Sequence, residues 1–386
     1  MDDVDAAEAL QAKNMLLSGD WVTQHLNGTP YLDKAPLKYW LTCCLYTIFG
    51  VHDWVARIPT ALAAILLCWL VVRIGNFYAG LVLATSVGLY LFTRTIIPDV
   101  ILTLFITLAL FCLYRALESP RKSLAWSLGI YTAMAAAVLT KGLIGLFFPV
   151  AIGLTYLLVT KNQDWRKLHP LVGTLVFLAI AAPWHILAIL QNPPLWDFTI
   201  HAGPHFGGKF RGFFWFYFIN EQLLRFLNER WPRDYNTVPR LWFWLSHLLW
   251  FFPWTLALPA IKKLKLTRWN LLLICWIAVV MLFFTFSTTQ EYYSMPIYPA
   301  IAILLGCAVE ADRKWLKLVP IFCLPIAATL FTLLLTVWHR AAPGDIYQAV
   351  SQHPALYTLS LGHMADLTIP ALAYLKLPLA LAATAF

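Results

Sequence analysis

The stretch FGGKFRGFFWFYFINEQLLRFLNERWPRDY, residues 206–235, is dense in aromatic rings and arginines. Such rings stack on sugars, and Arg211 and Arg225 can hold a phosphate by charge. The same FFWFYFINEQLLRFL run also reads as an interfacial amphipathic helix anchored by Trp and Phe, and both readings can hold at once. Four carboxylates, Asp2, Asp3, Asp5 and Glu8, crowd into the first ten residues, MDDVDAAEAL. In YLDKAPLKYW, Asp33 and Lys34 precede Pro36. Further ionisable residues stand at the depth or rim of apolar runs: Arg94 and Asp99 in FTRTIIPDV, Lys141 in LTKGL, His185 in APWHI, and Glu291 beside Tyr292 in TTQEYYSMPIYP. Ionisable groups near apolar spans are costly and commonly functional. Each also has a plainer reading: Asp2 and Asp3 as partners of a helix dipole, Lys34 snorkelling to lipid phosphates, Arg94 with Asp99 as a structural ion pair, and His185 beside Trp184 as a satisfied interfacial histidine.

The elements that must position these residues are membrane helices. Of 386 residues, 60% are hydrophobic and 12% charged, and the mean hydropathy is +0.69. A soluble domain of this size would need far more charge to cover its surface. Apolar stretches near 58–75, 78–95, 100–116, 124–139, 143–160, 171–190, 241–260, 269–287, 294–309, 318–338 and 367–386 are mostly of span length, which predicts an all-α, polytopic helix bundle of about eleven spans. Residues 4–17, VDAAEALQAKNMLL, read as a short amphipathic helix stopped by Ser18-Gly19-Asp20. A second short helix over 36–50, with Pro36 in its first turn, is too short to span and lies along the interface, so that the two make a lid-like ledge.

Basic residues orient the bundle. One set of short loops carries Arg73, then Arg115, Arg121 and Lys122, then Lys161, Arg166 and Lys167, then Lys262 to Arg268, then Arg313 to Lys317. These loops hold only Glu118, Asp164, Glu310 and Asp312 of the nineteen acidic residues, leaving fifteen on the opposite side, so the basic loops are expected in the cytoplasm. The order is then a first outer loop over 1–57, spans over 58–190, an aromatic and basic outer loop over 191–240, spans over 241–338, an outer loop over 339–366 and a last span over 367–386. An outer loop of this length normally follows a helix, so a leading transmembrane helix is expected before residue 1, and the apolar run reaching Phe386 reads as a truncated span. The net charge of +9 is spread by loop and not gathered on a face, which excludes a nucleic-acid partner. The seven cysteines fall almost entirely inside apolar runs and read as small buried hydrophobes. No spacing specifies a metal site, although outer carboxylates with His185 could take a divalent cation.

Taken together, DDVDAAEALQAKNMLLSGDWVTQHLNG, YLDKAPLKYWL, RTIIPDV, VLTKG, APWHI and QEYYSMPIYP resemble, in order, the GT-C integral-membrane glycosyltransferases, specifically the bacterial aminoarabinose transferase and protein mannosyltransferase group. The resemblance implies a multi-pass protein of the bacterial inner membrane, acting at the periplasmic face, that moves a sugar from a polyprenyl phosphate to an acceptor hydroxyl on a lipid, glycan or protein, with inversion at the anomeric carbon and no required cofactor. It implies catalytic roles for Asp2 as general base, with Asp3 beside it, and for Asp99. Lys34, with Lys141, Arg211 or Arg225, would offset the charge of the departing phosphate, and Asp33, His185, Glu291 and Tyr292 are the candidates for substrate binding. Two features depart from the pattern: Asp5-Ala6 stand where an Arg-Tyr pair is common, so donor recognition is expected to differ, and Asp33 stands where Glu is usual. A lipid or solute transporter is the alternative, and a scaffold protein a third reading. Against transport, no inverted repeat is visible and the charges gather at one face, not at the midplane.

Overall fold

The computed structural model describes residues 3–119, 122–201, 203, 205–206, 209–232, 237–342, 344–349, 351–353 and 362–385. The segment before the bundle holds the two expected short helices. Helix α1 (Asp3–Ser18) ends where Gly19 takes a left-handed φ of 71° and its N–H caps the Met15 carbonyl. Helix α2 (Leu37–Phe49) starts just after Pro36. Between them, β1 (Gln24–Leu26) and β2 (Thr29–Tyr31) form a hairpin in the register Gln24↔Tyr31 and Leu26↔Thr29. Its two-residue turn is Asn27-Gly28, both at positive φ, the pairing that matches the twist of the flanking strands. The Asn14 amide binds the His25 carbonyl at 3.0 Å, and the hairpin thereby rests on α1.

The bundle follows: α3 (Asp53–Ile74), α4 (Phe77–Ala84), α5 (Val87–Thr93), α6 (Asp99–Glu118), α7 (Ser123–Lys141), α8 (Ile144–Thr160) and α9 (Pro170–Gln191), then α10 (Arg240–Trp250), α11 (Arg268–Phe286), α12 (Tyr298–Ala311) and α13 (Leu318–Val337). Seven helical segments among the described residues are long and apolar enough to cross a membrane, or eight if a bent pair counts as one span. The protein is therefore a multi-pass membrane protein. Four of the eleven expected spans are not single helices: 294–309 opens in a 3-10 helix over Glu291–Ile297, and 367–386 is divided into Ile369–Leu372, Ala373–Leu375 and Lys376–Ala385. The stretch 78–95 breaks at Thr85-Ser86 into α4 and α5, and 241–260 bends by 93° between α10 and a 3-10 helix over Trp254–Lys263. A break at membrane depth frees backbone groups, which must find partners inside the protein. Here Thr85 N–H still binds the Leu81 carbonyl, the Ser86 hydroxyl donates to the Leu83 carbonyl, and the Trp254 indole N–H donates to the Thr85 hydroxyl at 2.8 Å.

The most enclosed spans are Glu291–Ala311, which ends in α12, and α6, with 78% and 72% of their apolar windows buried, against 11% for the span ending in α13, which lies at the rim. Helix α6 carries the start of the site. It packs on α3, α7 and α8. Asp99 opens α6 and Lys141 closes α7, and the two side chains meet at 2.5 Å. At the other end of α6, Glu118 pairs with Arg268 at the start of α11, and past the end of α12, Asp312 pairs with Lys263 at 2.6 Å. Asp99 with Lys141 and Glu118 with Arg268 thus mark opposite ends of the bundle. Small residues allow the closest helix approach. A Cβ added at Gly306 of α12 would stand 2.3 Å from the Ala79 backbone nitrogen of α4. Gly306→Val is therefore expected to cost about 1–3 kcal/mol by overpacking, read as an earlier melt in detergent; a variant melting with the parent would show that α4 and α12 do not meet backbone to backbone.

Candidate active site

At the end of the bundle that carries α1 and the start of α6 lies a cavity of about 860 Å³. Helix α1 contributes Val4, Ala7, Glu8 and Gln11, residues spaced at three, four and seven positions and hence on one face. The turn after the hairpin brings Tyr31, Asp33 and Lys34, the start of α6 brings Asp99, and the end of α7 brings Thr140 and Lys141. Across from them runs a helical segment with π geometry, Trp215–Leu224, continuing to Arg225. Its Phe218, Glu221, Gln222 and Arg225 repeat the same spacing, and Arg230 follows. Ile144, Phe147, Phe226, Phe283 and Phe284 form an apolar flank, and Tyr292 and Tyr293 close the wall.

Four cations (Lys34, Lys141, Arg225, Arg230) and four carboxylates (Glu8, Asp33, Asp99, Glu221) line this space among the described residues. They are interleaved. Glu221 receives Arg225 one turn on and Arg230 through its Nε, and Arg230 reaches Asp33 at 3.3 Å. Lys34 is 3.5 Å from Asp33, its side chain 27% exposed. Burial works against the charge on Lys34, but Asp33 and Glu221 beside it outweigh that and raise its pKa above an ordinary lysine. Burial would likewise push Glu221 up, yet Arg225, Lys34 and Arg230 hold it below the usual carboxylate range. Lys141 lies over the faces of Tyr293 and Tyr292, at 4.8 and 5.4 Å from their centroids.

Six of the sequence candidates come together here: Asp33, Lys34, Asp99, Lys141, Arg225 and Tyr292. Asp2 lies outside the described residues, as does the side chain of Asp3, whose backbone opens α1 one residue before Val4 of the cavity wall. Three candidates stand off the wall. Arg211, a proposed phosphate ligand, is buried, pairs with Asp197 at 3.2 Å and stacks 4.2 Å from the Trp215 ring, so it fastens the loop between α9 and α10. His185 binds the Ala181 carbonyl of its own helix through Nδ1 and faces the Tyr217 hydroxyl at 3.3 Å within a cluster of aromatic rings. Glu291, 2% exposed, accepts the Trp242 indole N–H at 2.6 Å. All three are packed away because each found a local polar partner. Nor do Arg94 and Asp99 pair with each other: Asp99 belongs to Lys141, and Arg94 lies on the Tyr90 ring and donates to its hydroxyl. Sequence reasoning passed over Glu221, Arg230, Tyr31 and Tyr293. The signal for Glu221 was available, one turn before Arg225 on a single helical face.

Comparison with known proteins adds an independent line. A family model described as dolichyl-phosphate-mannose-protein mannosyltransferase matches residues 33–187. An undecaprenyl phosphate-alpha-4-amino-4-deoxy-L-arabinose arabinosyl transferase 2 from Pseudomonas fluorescens is 29% identical over 317 residues, 77% of this chain and 50% of that protein. A transferase of the same description from Pectobacterium carotovorum is 25% identical over 370 residues, 88% of this chain and 62% of its own length. The chain thus spans about half to three fifths of the curated relatives it matches. The crystal structure of ArnT from Cupriavidus metallidurans bound to undecaprenyl phosphate superposes with a TM-score of 0.74 at 24% identity, covering 99% of this chain and 71% of that one. Its apo state gives 0.72 at 25% identity, covering 98% of this chain and 71% of that one. The chain therefore shares the fold of these ArnT structures over nearly its whole length, and its sequence is similar to the arabinosyl transferases across three quarters of it or more.

Proposed function

We propose that this protein is a glycosyltransferase that moves a sugar from a polyprenyl phosphate carrier to an acceptor hydroxyl at the periplasmic face of the bacterial inner membrane. The observation that carries the reading is the two-sided cavity. One flank, built from Ile144, Phe147, Phe226, Phe283 and Phe284, suits a prenyl chain, while Lys34, Lys141, Arg225 and Arg230 suit a phosphate at its head. Relatives named for an undecaprenyl phosphate aminoarabinose donor support a pentose on that carrier. A lipid hydroxyl is the acceptor that best fits a cavity with a broad apolar flank; glycan and protein hydroxyls are alternatives that product analysis separates.

The chemistry follows from the donor. A sugar on a phosphate already carries its leaving group, so transfer needs a base for the incoming hydroxyl and positive charge for the departing phosphate. The acceptor oxygen bonds to the anomeric carbon as the bond from that carbon to the phosphate oxygen breaks. The acceptor proton passes to a carboxylate of the α1 start, which we assign to Asp2 with Asp3 as its neighbour. One displacement inverts the anomeric configuration. Lys34 is the first cation for the phosphate, because its pairing with Asp33 at 3.5 Å is looser than that of Lys141 with Asp99 at 2.5 Å. Asp99 orients Lys141.

Membranes holding the protein, supplied with radiolabelled undecaprenyl phosphate sugar, are expected to yield labelled product released from the carrier. Uptake of label without new covalent product would indicate transport instead. Lys34→Met should raise the donor KM at least tenfold, since a charged hydrogen bond contributes about 1.5–3 kcal/mol, while the folded yield stays near that of the parent; an unchanged KM would remove Lys34 from the phosphate site. Asp2→Asn should abolish transfer, with Asp3→Asn less severe, and a wild-type rate in both would refute the base assignment. Because the scheme calls on no metal, transfer should persist in EDTA; its loss, restored by Mg²⁺ or Mn²⁺, would add a cation to the site.

A further inference from the structure

Ile96 sits three residues before Asp99, 1% exposed, in a segment outside any helix. Both of its backbone polar groups are held by side chains from other elements. Its N–H donates to Asp5 Oδ1 of α1 at 2.6 Å, and its carbonyl accepts Lys38 Nζ of α2 at 2.7 Å. Lys38, 2% exposed, also bonds Glu8, which takes a second hydrogen bond from the Tyr39 hydroxyl at 2.6 Å. From α3, Arg57 closes the ring by pairing with Asp5 at 2.5 Å and donating to the Arg94 carbonyl. Thus α1, α2 and α3 all grip residues 94–96.

From this convergence we infer that Lys38 is a positioning residue for Asp99: by fixing the Ile96 carbonyl it sets where the Asp99 carboxylate, and the Lys141 bound to it, stand relative to Lys34. Only Ile97 and Pro98 separate the clamp from Asp99, and the proline ring locks one of the intervening dihedrals. Ile97, Pro98 and Asp99 all line the cavity, so a shift at Ile96 reaches the cavity wall directly. Lys38 itself does not line it. The plainer role for a buried Lys–Glu pair is to staple α1 to α2. A staple would change stability and leave turnover alone, whereas misplacing reacting groups by about 1 Å can cost a hundredfold in rate.

The inference rests on the proposed transfer reaction, and its test has one arm that does not. Replacing Lys38 alone would strand the Glu8 charge, so the informative comparison is Glu8→Gln against Glu8→Gln with Lys38→Met. Both lack the ion pair, and only the second lacks the bond to Ile96. The double variant should fold as the single one does, by melting and gel filtration, and turn over at least tenfold more slowly at a donor KM within twofold. Without any substrate, the amides of Thr95, Ile96, Ile97 and Asp99 should exchange hydrogen faster in the double variant, with those of α13 unchanged. Equal turnover and equal exchange in the two variants would overturn the inference, as would a rise in donor KM alone. A parent that transfers no sugar would refute the proposed function, and the exchange measurement would still decide the clamp.

Discussion

Charge neutrality inside a low-dielectric end of the bundle is the constraint on which the other features depend. Each lysine, arginine or carboxylate at this depth carries a desolvation penalty of several kcal/mol if it stands alone. The protein meets the penalty by alternation: Lys38 with Glu8, Arg57 with Asp5, Lys34 and Arg230 with Asp33, Arg225 and Arg230 with Glu221, Lys141 with Asp99. Every pair but two, Lys34 with Asp33 and Arg225 with Glu221, joins different elements. The pairs therefore tie α1 to α2 and α3, α6 to α7, and the π-helical segment through Arg230 to the turn at Asp33, so the parts of the site are joined by the same contacts that make its charges tolerable.

This arrangement also decides what an incoming phosphate can do. It cannot simply fall onto free cations; it must compete with carboxylates already in place. Competition is weakest where a pair is loosest, which is at Lys34, partly exposed and 3.5 Å from Asp33. It is strongest at Glu221, bound by two arginines at once. A graded set of pairs lets one cation turn toward the ligand while the rest hold their geometry, so binding does not require the wall to be rebuilt.

Much of the fold was legible because membrane insertion imposes two strong rules, on span length and on basic loops. Helices α3, α6, α7, α9, α11 and α13 lie close to where hydropathy put them, and the ends of α1 and α2 were announced by Gly19 and Pro36. The breaks in 78–95 and 241–260 were not legible, since the partners that satisfy them, Trp254 on Thr85 for example, lie 169 residues apart. The site was half legible for the same reason. Lys34, Asp99, Lys141 and Arg225 stood out as charges in apolar surroundings, but which carboxylate neutralises which cation is a long-range fact. Asp99 pairs 42 residues away with Lys141, not five residues away with Arg94. Arg211, His185 and Glu291 stand off the cavity wall, bonded to Asp197, the Ala181 carbonyl and the Trp242 indole.

The placement of Arg211 clarifies what the aromatic loop between α9 and α10 contributes. An arginine buried against Trp215 and bonded to Asp197 cannot reach a ligand without giving up both contacts. What it does is tie the chain around Asp197 and Thr199 to the start of the π-helical segment, where the Trp215 indole also donates to the Thr199 carbonyl at 2.8 Å. The Phe213 N–H bonds the Asn192 carbonyl just past the end of α9, and Trp184 of α9 reaches back to the Val22 carbonyl ahead of the hairpin. The loop is thereby held between α9 and the segment before the bundle, and its far end is free to present Glu221 and Arg225 to the cavity at fixed spacing. A π-helical turn widens the backbone ring by one residue per bond, and such turns recur at functional sites. Here it lies on the stretch that must satisfy an anchoring face at Trp215 and a cavity face at Phe218, Glu221 and Gln222, one turn apart along the same helix.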